Sequence, residues 1–398
     1  MGQARPAVSE NRLFTPAFIG LGLVELAYFT AQGLTIPLTP LFAQGPLGAD
    51  EIGVGITVGS FSVTALMLRP FAGQLADRRG RRPLLIGGAL LAAAAIAAHA
   101  VTADLALLIA LRLVMGIAEA FFFVAGFAMV ADLAPPGRAG EALSFNSLAL
   151  YLGIAFGPIV GEAVHGIGGF GLAWVVAAGL TLAAGIGALA FHESAARTAV
   201  PGPMTLIHRA ALAPSVGLFT GIAGMSGFLW FLALYVTDLG MAGTGPVLLL
   251  FGLVVVGTRI VFAKVPDRVP PFRLAAAALA MVAVGLGSVA VTASIPGLFL
   301  GTALTALGVA FTTPAFFAAI VQRVAPSERG VALGTTSLFI DLAFGGGPML
   351  FGFVAAAFGI PVAFASGAVV ATIGALGTAY AAVRHPGLSA KAGDPSGS

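Results

Sequence analysis

The chain has 398 residues, of which 59% are hydrophobic and only 9% are charged. Because soluble domains carry about 25% charged residues, this composition excludes a water-soluble globular protein and indicates a chain that crosses a membrane many times. The absence of cysteine excludes disulfides, thiolate metal sites and cysteine nucleophiles. The net charge of +3 does not indicate nucleic-acid binding, because the basic residues follow the membrane topology.

The apolar stretches predict the number of membrane helices, since a helix needs about 20 predominantly apolar residues to cross a bilayer. Twelve stretches meet this requirement, in chain order 14–38, 52–75, 83–102, 105–131, 141–164, 170–191, 210–236, 245–265, 273–293, 296–321, 330–356 and 360–383. The short polar segment before span 1 is followed by a full-length span, so we expect no cleaved signal peptide.

The basic residues fix the orientation of these spans. All of the 19 Lys and Arg residues except Arg112 fall at or near every second loop, as in 69–82 after span 2 and 259–273 after span 8. The intervening loops carry acidic residues such as Asp50 and Asp104 and no basic ones. Since cytoplasmic loops carry the excess of Lys and Arg, we expect a multi-pass protein of the bacterial inner (plasma) membrane with both termini in the cytoplasm.

An internal repeat divides the chain into two halves. A shift of 190 residues superimposes positions that hydrophobicity alone would not align: Arg69 on Arg259, Asp77-Arg78 on Asp267-Arg268, and Gly157-Pro158 on Gly347-Pro348. We therefore predict an all-α membrane protein with two pseudo-symmetric six-helix bundles. Their expected bounds are 1–191 and 210–385, joined by a cytoplasmic linker over 192–209 and followed by a disordered cytoplasmic tail over 386–398.

The loop after span 2 carries a motif. It reads Gly73-Gln-Leu-Ala-Asp77-Arg78-Arg-Gly80-Arg81-Arg82 and resembles the Gly-x-Leu-x-Asp-Arg-x-Gly-Arg-Lys/Arg signature of the major facilitator superfamily. The resemblance implies the twelve-helix fold, alternating access and a cytoplasmic gate held by Gly73, Asp77, Arg78, Gly80 and Arg81. We expect Asp77 to bind the positive N-terminus of span 11 near Gly330. The protein is expected to be a monomer. In the second-half copy Ala263 and Pro270 replace the two glycines, so this half is expected to gate less strongly.

Two further elements resemble those of proton-coupled members of the family. Arg112-Leu-Val-Met-Gly116 in span 4 is similar to their Arg-x-x-x-Gly element. In span 5, Gly153, Gly157, Pro158 and Gly161 are similar to a signature of the twelve-helix drug/proton antiporters, with Glu162 in place of the last glycine. This second motif implies export, or alternatively only helix packing through small residues and a proline kink.

Four ionisable residues lie within the predicted spans, where they are functional candidates: Glu25, Arg112, Glu119 and Asp341. Burial raises the pKa of a carboxyl group and a nearby arginine lowers it, so motion between two such environments could load and release a proton. Arg112 could pair with Glu25 in such a mechanism. The alternative is a static ion pair of Arg112 with Glu25 or Glu119 that only fixes the helix packing.

Asp341 has no obvious basic partner at its depth. It could be protonated at rest, bind a cationic substrate or be hydrogen-bonded to span 2 or 8, and its repeat counterpart Tyr151 suggests a position facing the cavity. If all four residues were ionised, one positive and three negative charges would face the cavity. Such a cavity would favour a cationic substrate or carry protons.

The predicted substrate-binding residues combine aromatic and polar groups: Tyr28, Gln32, Phe122, Asn146, Tyr151, Met225, Trp230 and Phe316. Apolar walls with few polar groups suit an amphipathic ligand. We interpret Glu162 and His165, at the outer end of span 5, as interfacial.

These features predict proton-coupled efflux (antiport) of small amphipathic or cationic compounds. The alternatives are a carrier for one specific metabolite or sugar and, more remotely, a membrane-embedded enzyme. The sequence contains no phosphate-binding loop of the Gly-x4-Gly-Lys-Ser/Thr type, so we expect no ATP hydrolysis. It also has no second histidine at zincin spacing after His192-Glu193 and no Gly-x-Ser-x-Gly elbow, so we do not expect an enzyme. The expected partners are a small-molecule substrate, protons as coupling ion and the lipid bilayer, without a cofactor or a metal.

Overall fold

The structure is a computed structural model that describes residues 12–135, 138–193, 207–262, 265–324 and 328–384. Within these ranges the chain is helical and contains no strand. The predicted tail over 386–398 and most of the predicted linker lie outside the described residues, as does Ala263. Asp77 and Gly330 belong to described helices, but the predicted contact between them lies outside what the structure describes.

The first half contains six helices. In chain order they are α1 (Pro16–Gln44), α2 (Glu51–Arg79), α3 (Arg81–Ala98, continued by a 3-10 turn over His99–Val101), α4 (Leu105–Leu133), α5 (139–167) and α6 (170–188). The last two form one helical segment, Ala139–Ala188, with non-helical backbone at Gly168 and Gly169. Gly169 has a φ of +67°, which glycine adopts without the steric cost of a Cβ atom. The chain thus turns between its fifth and sixth spans.

The second half repeats this arrangement. Its helices are α7 (Arg209–Asp238), α8 (Gly245–Val261), a short helix over Val265–Arg268, α9 (Pro271–Thr292), α10 (Ile295–Val321), α11 (Arg329–Phe358) and α12 (Ile360–Arg384). In the described part, 10 helical segments are long and apolar enough to cross a bilayer, with α5 and α6 taken as one, and α8 is a shorter apolar helix of 17 residues. Each predicted span thus corresponds to a helix, and the predicted fold class is confirmed.

The two sides of the bundle differ in their charged residues. We call the side on which α1 begins and α12 ends the basic face, because Arg78, Arg79 and Arg384 lie at helix ends there. The opposite side is the acidic face. There Asp50 accepts a hydrogen bond from the Gly53 N–H at 2.7 Å and caps the N-terminus of α2. Asp104 caps the N-terminus of α4 in the same way, by accepting a hydrogen bond from the Leu107 N–H at 2.8 Å.

The two halves meet through α2 with α11, α5 with α8, and α1 with α7. Near the acidic face, a Cβ atom on Gly55 of α2 would lie 2.7 Å from the carbonyl oxygen of Pro348 and 3.1 Å from the Cα atom of Gly352 in α11. Gly252 of α8 is packed equally closely against Ala155 of α5. Close packing of glycines against backbone and the small side chain of Ala155 closes the interface on this side.

Candidate functional site

The four ionisable residues predicted at membrane depth are all buried. The exposed fraction is 1% for Glu25 and Arg112, 8% for Glu119 and 3% for Asp341. They lie on α1, α4 and α11, so residues from both halves contribute to a charged region at the centre of the bundle.

Asp341 has a basic partner, contrary to the sequence prediction. Its Oδ2 lies 2.8 Å from Nε of Arg69 in α2, and the Arg69 guanidinium also lies 4.4 Å above the Phe123 ring. The prediction was wrong because it assigned Arg69 to the region of the loop after span 2, whereas α2 continues as a helix to Arg79. Arg69 therefore lies at the interface of the two halves.

The repeat places a second arginine at the equivalent interface. Arg259 of α8 donates hydrogen bonds to the Ser147 hydroxyl at 3.0 Å and the Tyr151 hydroxyl at 3.1 Å, and lies 4.5 Å above the Tyr151 ring. Arg259 corresponds to Arg69 and Tyr151 to Asp341 after the shift of 190 residues. Each half thus sends one arginine to the other half, and the partner is an acid in one case and a tyrosine in the other.

Glu25 lies inside the first half. One of its carboxylate oxygens accepts a hydrogen bond from the side-chain amide of Asn146 in α5. The other, Oε1, is buried without a hydrogen-bond partner in the described part of the chain and lies close to Gly126. The predicted pairing of Glu25 with Arg112 is not found, since the nearest polar partner of Glu25 is the neutral Asn146.

Arg112 is held by aromatic rings instead of a carboxylate. Its guanidinium lies 5.0 Å from the ring of Phe61 in α2 and 5.0 Å from the ring of Trp230 in α7. The guanidinium also donates a hydrogen bond to the carbonyl oxygen of Val58, at 3.4 Å. Among the described residues it forms no ion pair. Because Trp230 belongs to the second half, Arg112 also joins the two halves.

Glu119 lies beside an aromatic pair. The rings of Tyr28 and Phe122 are stacked, with centroids 3.7 Å apart and planes inclined by 8°. The Tyr28 hydroxyl interacts with Glu119, yet this hydroxyl and Glu119 Oε2 are buried without a well-formed hydrogen bond in the described chain. The cluster belongs to the core of the first half.

A cavity of about 340 Å³ lies between α2, α4 and α11, toward the basic face. It is lined by Arg69, Pro70, Phe123, Val124, Phe127, Val331, Gly334, Ser337 and Leu338. Sequence reasoning did not select most of these residues as candidate ligand contacts. The repeat offered a signal, because Ser147 and Ser337, like Arg69 and Arg259, occupy equivalent positions.

The predicted substrate-binding residues do not form one site. Tyr28 and Phe122 are packed in the first half, Asn146 holds Glu25, Tyr151 holds Arg259, and Trp230 contacts Arg112, as described above. The remaining residues are separate: Gln32 is half-buried, whereas Met225 and Phe316 are buried in the core of the second half. In this conformation most of the predicted substrate-binding residues therefore lie beside the buried charged groups and do not line the cavity.

The loop motif has a local structural reason. Gly80 has a φ of +94°, and a Cβ atom there would meet the Glu193 carboxylate. That carboxylate accepts a hydrogen bond of 2.7 Å from the Arg81 N–H, at the start of α3. Nε of Arg81 lies 3.2 Å from Oδ2 of Asp132 in α4. Arg78 is exposed, and a Cβ atom on Gly73 would contact nothing within 4 Å.

The motif in α5 forms the contact with α1. Cβ atoms on Gly153, Gly157 and Gly161 would meet backbone or side-chain atoms of residues 29–34. Pro158 lies inside the same helix. In this conformation the glycines therefore serve close helix packing, the alternative that the sequence left open. Glu162, interpreted as interfacial, lies at the acidic face but is bonded across the halves, to Thr244.

Metal binding has no support in the described part of the chain, where no group of three His, Cys, Asp or Glu residues could hold an ion. The chemical features of the site are instead buried carboxylates, arginines shared between the halves and a small cavity with aromatic walls.

Comparison with known proteins identifies the family. Residues 21–296 match the Major Facilitator Superfamily. An uncharacterized MFS-type transporter of Salmonella typhimurium is 29% identical over 382 residues, which cover 93% of this chain and 97% of that protein.

Solved structures share the fold. A bacterial homolog of the human lysosomal transporter Spinster, in an inward-facing and occupied conformation, gives a TM-score of 0.80 at 15% identity and covers 96% of this chain and 98% of that chain. The human organic anion transporter MFSD10 (TETRAN) gives 0.71 at 19% identity and covers 92% and 100%. The chain belongs to the Major Facilitator Superfamily and is a multi-pass membrane transporter, not an enzyme.

Proposed function

We propose that this transporter exports small amphipathic compounds in exchange for protons, by alternating access. The observation that carries the proton coupling is the burial of Glu25 and Glu119, neither of which forms an ion pair among the described residues. Arginines lie on neighbouring helices. A carboxyl group that moves between a site without a cation and a site beside an arginine can take up and release a proton.

Alternating access is supported by the unequal contacts on the two faces. Near the acidic face Gly55 packs directly against Gly352, and Gly252 packs against the small side chain of Ala155. The cavity lies toward the basic face. Closing this cavity would bring the loop motif toward the start of α11, where we propose that Asp77 binds the helix N-terminus. The open space around Gly73 leaves room for that approach.

The cavity supports an amphipathic substrate. Phe123, Phe127 and aliphatic residues form most of its wall, and Arg69 and Ser337 supply the polar groups. Apolar walls with a few polar groups bind ligands that have both characters. The substrate would bind where Arg69 and Asp341 meet, so that its arrival can disturb the ion pair between the halves.

An organic anion is a second candidate substrate. Arg69 and Arg259 also lie at the interface between the halves, so the count of one base against three acids at membrane depth no longer favours a cationic substrate. Arg69 lines the cavity, and Arg112 has no carboxylate partner in the described chain. The fold is also that of an organic anion transporter, MFSD10.

We further propose that the protein lies in the bacterial inner membrane as a monomer with its basic face in the cytoplasm, following the distribution of Lys and Arg. The halves would extend over 1–191 and 210–385, with 192–209 as the cytoplasmic linker. In this orientation the cavity of the present conformation faces the cytoplasm, which suits the loading of an exported compound.

The test is a comparison of cells that lack their own efflux pumps, with and without this protein. Expression should lower the accumulation of ethidium, a cationic amphipathic dye, or of fluorescein, an amphipathic anion. Lower ethidium alone would favour the export of cationic compounds, and a change in fluorescein alone would favour the anion carrier. If no dye or antibiotic of a panel changed, the efflux proposal would be wrong.

A further inference from the structure

The carboxylate of Glu162, in α5, reaches across the interface between the halves at the acidic face. Its Oε1 accepts hydrogen bonds from the backbone N–H of Thr244 at 2.5 Å and from the Thr244 hydroxyl at 2.6 Å. Its Oε2 accepts one from the N–H of Gly245 at 2.8 Å. Thr244 is the N-cap of α8, and its own side chain makes no capping bond. Glu162 of the first half therefore caps a helix of the second half.

The chemistry of this contact makes it stronger than a surface contact between neutral groups. The first N–H groups of a helix have no partner within the helix, and the helix dipole favours a negative charge at that end. Hydrogen bonds to a carboxylate are also about twice as strong as those between neutral groups. Gly243 and Gly245 lie within contact distance of the carboxylate and have no side chains to obstruct it.

The repeat shows what this position does without the carboxylate. After the shift of 190 residues Glu162 corresponds to Gly352, and Gly245 corresponds to Gly55. Gly55 and Gly352 pack backbone against backbone between α2 and α11. One of two equivalent contacts at the acidic face is thus a glycine packing contact, and the other is a charged cap. The motif in α5 also has glycine in the family signature where this chain has Glu162.

We propose that Glu162 is a positioning residue for transport, a latch that holds the acidic face closed by binding the N-terminus of α8. The acidic face can open only if α5 and α8 separate, and this separation breaks all three hydrogen bonds. Glu162 therefore sets how often the acidic face opens. The inference rests on the alternating access proposed above, but it concerns a residue outside the charged region and the cavity.

The experiment uses the absence of cysteine in the chain. Ser62 of α2 is 2% exposed and lies against Gly345 of α11, at the closed interface. Ser337 lines the cavity toward the basic face. Ser62→Cys and Ser337→Cys, made separately, report the two faces through their rates of reaction with a membrane-impermeant maleimide in oriented vesicles. Labelling of the denatured protein normalises each rate.

Each reporter is combined with Glu162→Gln, which keeps the size and one acceptor oxygen, and with Glu162→Gly, which restores the residue of the family signature. We expect labelling of Ser62→Cys to rise about tenfold with Glu162→Gly, the change that about 1.4 kcal/mol produces in a two-state population. Glu162→Gln should give a smaller rise. Labelling of Ser337→Cys should fall as the acidic-face-open state becomes populated.

The matched control is Asp104→Asn. Asp104 is also an acidic-face carboxylate that caps a helix, but it binds Leu107 of its own helix, at 2.8 Å. Asp104→Asn should leave the labelling rates of both reporters unchanged. Unchanged rates in the folded Glu162 variants, or a rise at both reporters, would overturn the latch. Since Glu162→Gln is isosteric, it carries the test if Glu162→Gly does not fold. Labelling needs neither substrate nor a proton gradient, so its failure is distinct from failure of the transport proposal.

Discussion

Arg69 of α2 and Asp341 of α11 form an ion pair of 2.8 Å that joins the two halves of the transporter. Both side chains are buried or nearly so, with exposed fractions of 13% and 4%. A buried charge whose partner is removed is costly, whereas a pair removed together costs less. Removing one partner should therefore cost more stability than removing both.

Asp341→Asn should lower the free energy of unfolding by about 3 kcal/mol, because it leaves Arg69 buried without a counter-ion. The double variant Arg69→Met with Asp341→Asn should recover part of this loss. Thermal unfolding in detergent measures both. A double variant that is no more stable than Asp341→Asn alone would show that the ion pair does not determine the cost.

The equivalent contact of Arg259 with Tyr151 should respond to the type of its partner. Tyr151→Phe keeps the ring below Arg259 but removes the hydroxyl acceptor, and should cost about 1 kcal/mol of stability. Tyr151→Asp would recreate the chemistry of Arg69 and Asp341. It should unfold at a higher temperature than its uncharged control Tyr151→Asn, and equal melting temperatures would contradict the proposed equivalence.

Glu25→Gln should uncouple transport from the proton gradient while leaving the fold intact. The amide oxygen can still accept the hydrogen bond from Asn146, but the side chain can no longer exchange a proton. Dye export by this variant should not respond to an imposed ΔpH. Glu141→Gln removes an exposed carboxylate, bonded to Arg138, and should keep the response. A wild-type response in Glu25→Gln would exclude this residue as the coupling group.

Two glycines of the motifs should respond differently to alanine. A Cβ atom on Gly157 would lie 2.6 Å from the backbone nitrogen of Leu34 and 2.6 Å from the carbonyl oxygen of Thr30. Gly157→Ala should therefore cost about 2 kcal/mol through overpacking of α1 against α5. The Cβ atom of Gly73→Ala meets nothing within 4 Å, and this variant should not lower stability, because alanine has a higher helix propensity than glycine. Circular dichroism during heating distinguishes them, and equal loss in both variants would contradict this packing.

The fold could be predicted from the sequence because several independent patterns agree. Apolar stretches of span length, basic residues in alternate loops and the repeat that aligns Arg69 with Arg259 each indicate the same twelve-helix, two-half arrangement. The turn between α5 and α6 was also predictable, because the glycine-rich stretch at Gly168 and Gly169 interrupts the apolar sequence there.

The partners within the site were less predictable. Hydropathy places Asp341 in a span but does not give the depth of Arg69. Arg69 lies only eight residues before Asp77 of the loop motif. Its contact with Asp341 depends on the relative position of α2 and α11, which are distant in sequence. Arg112 had acidic candidate partners in Glu25 and Glu119. Its guanidinium instead contacts the rings of Phe61 and Trp230, which belong to two other helices.

Purified protein in proteoliposomes with a trapped pH indicator gives the most direct test of proton-coupled export. A gradient of ethidium should drive protons in the opposite direction, and fluorescein replaces ethidium if the cell assay favours the anion. Glu25→Gln should abolish this proton movement. Dye transport by the wild-type protein without any opposite proton movement would contradict proton-coupled export.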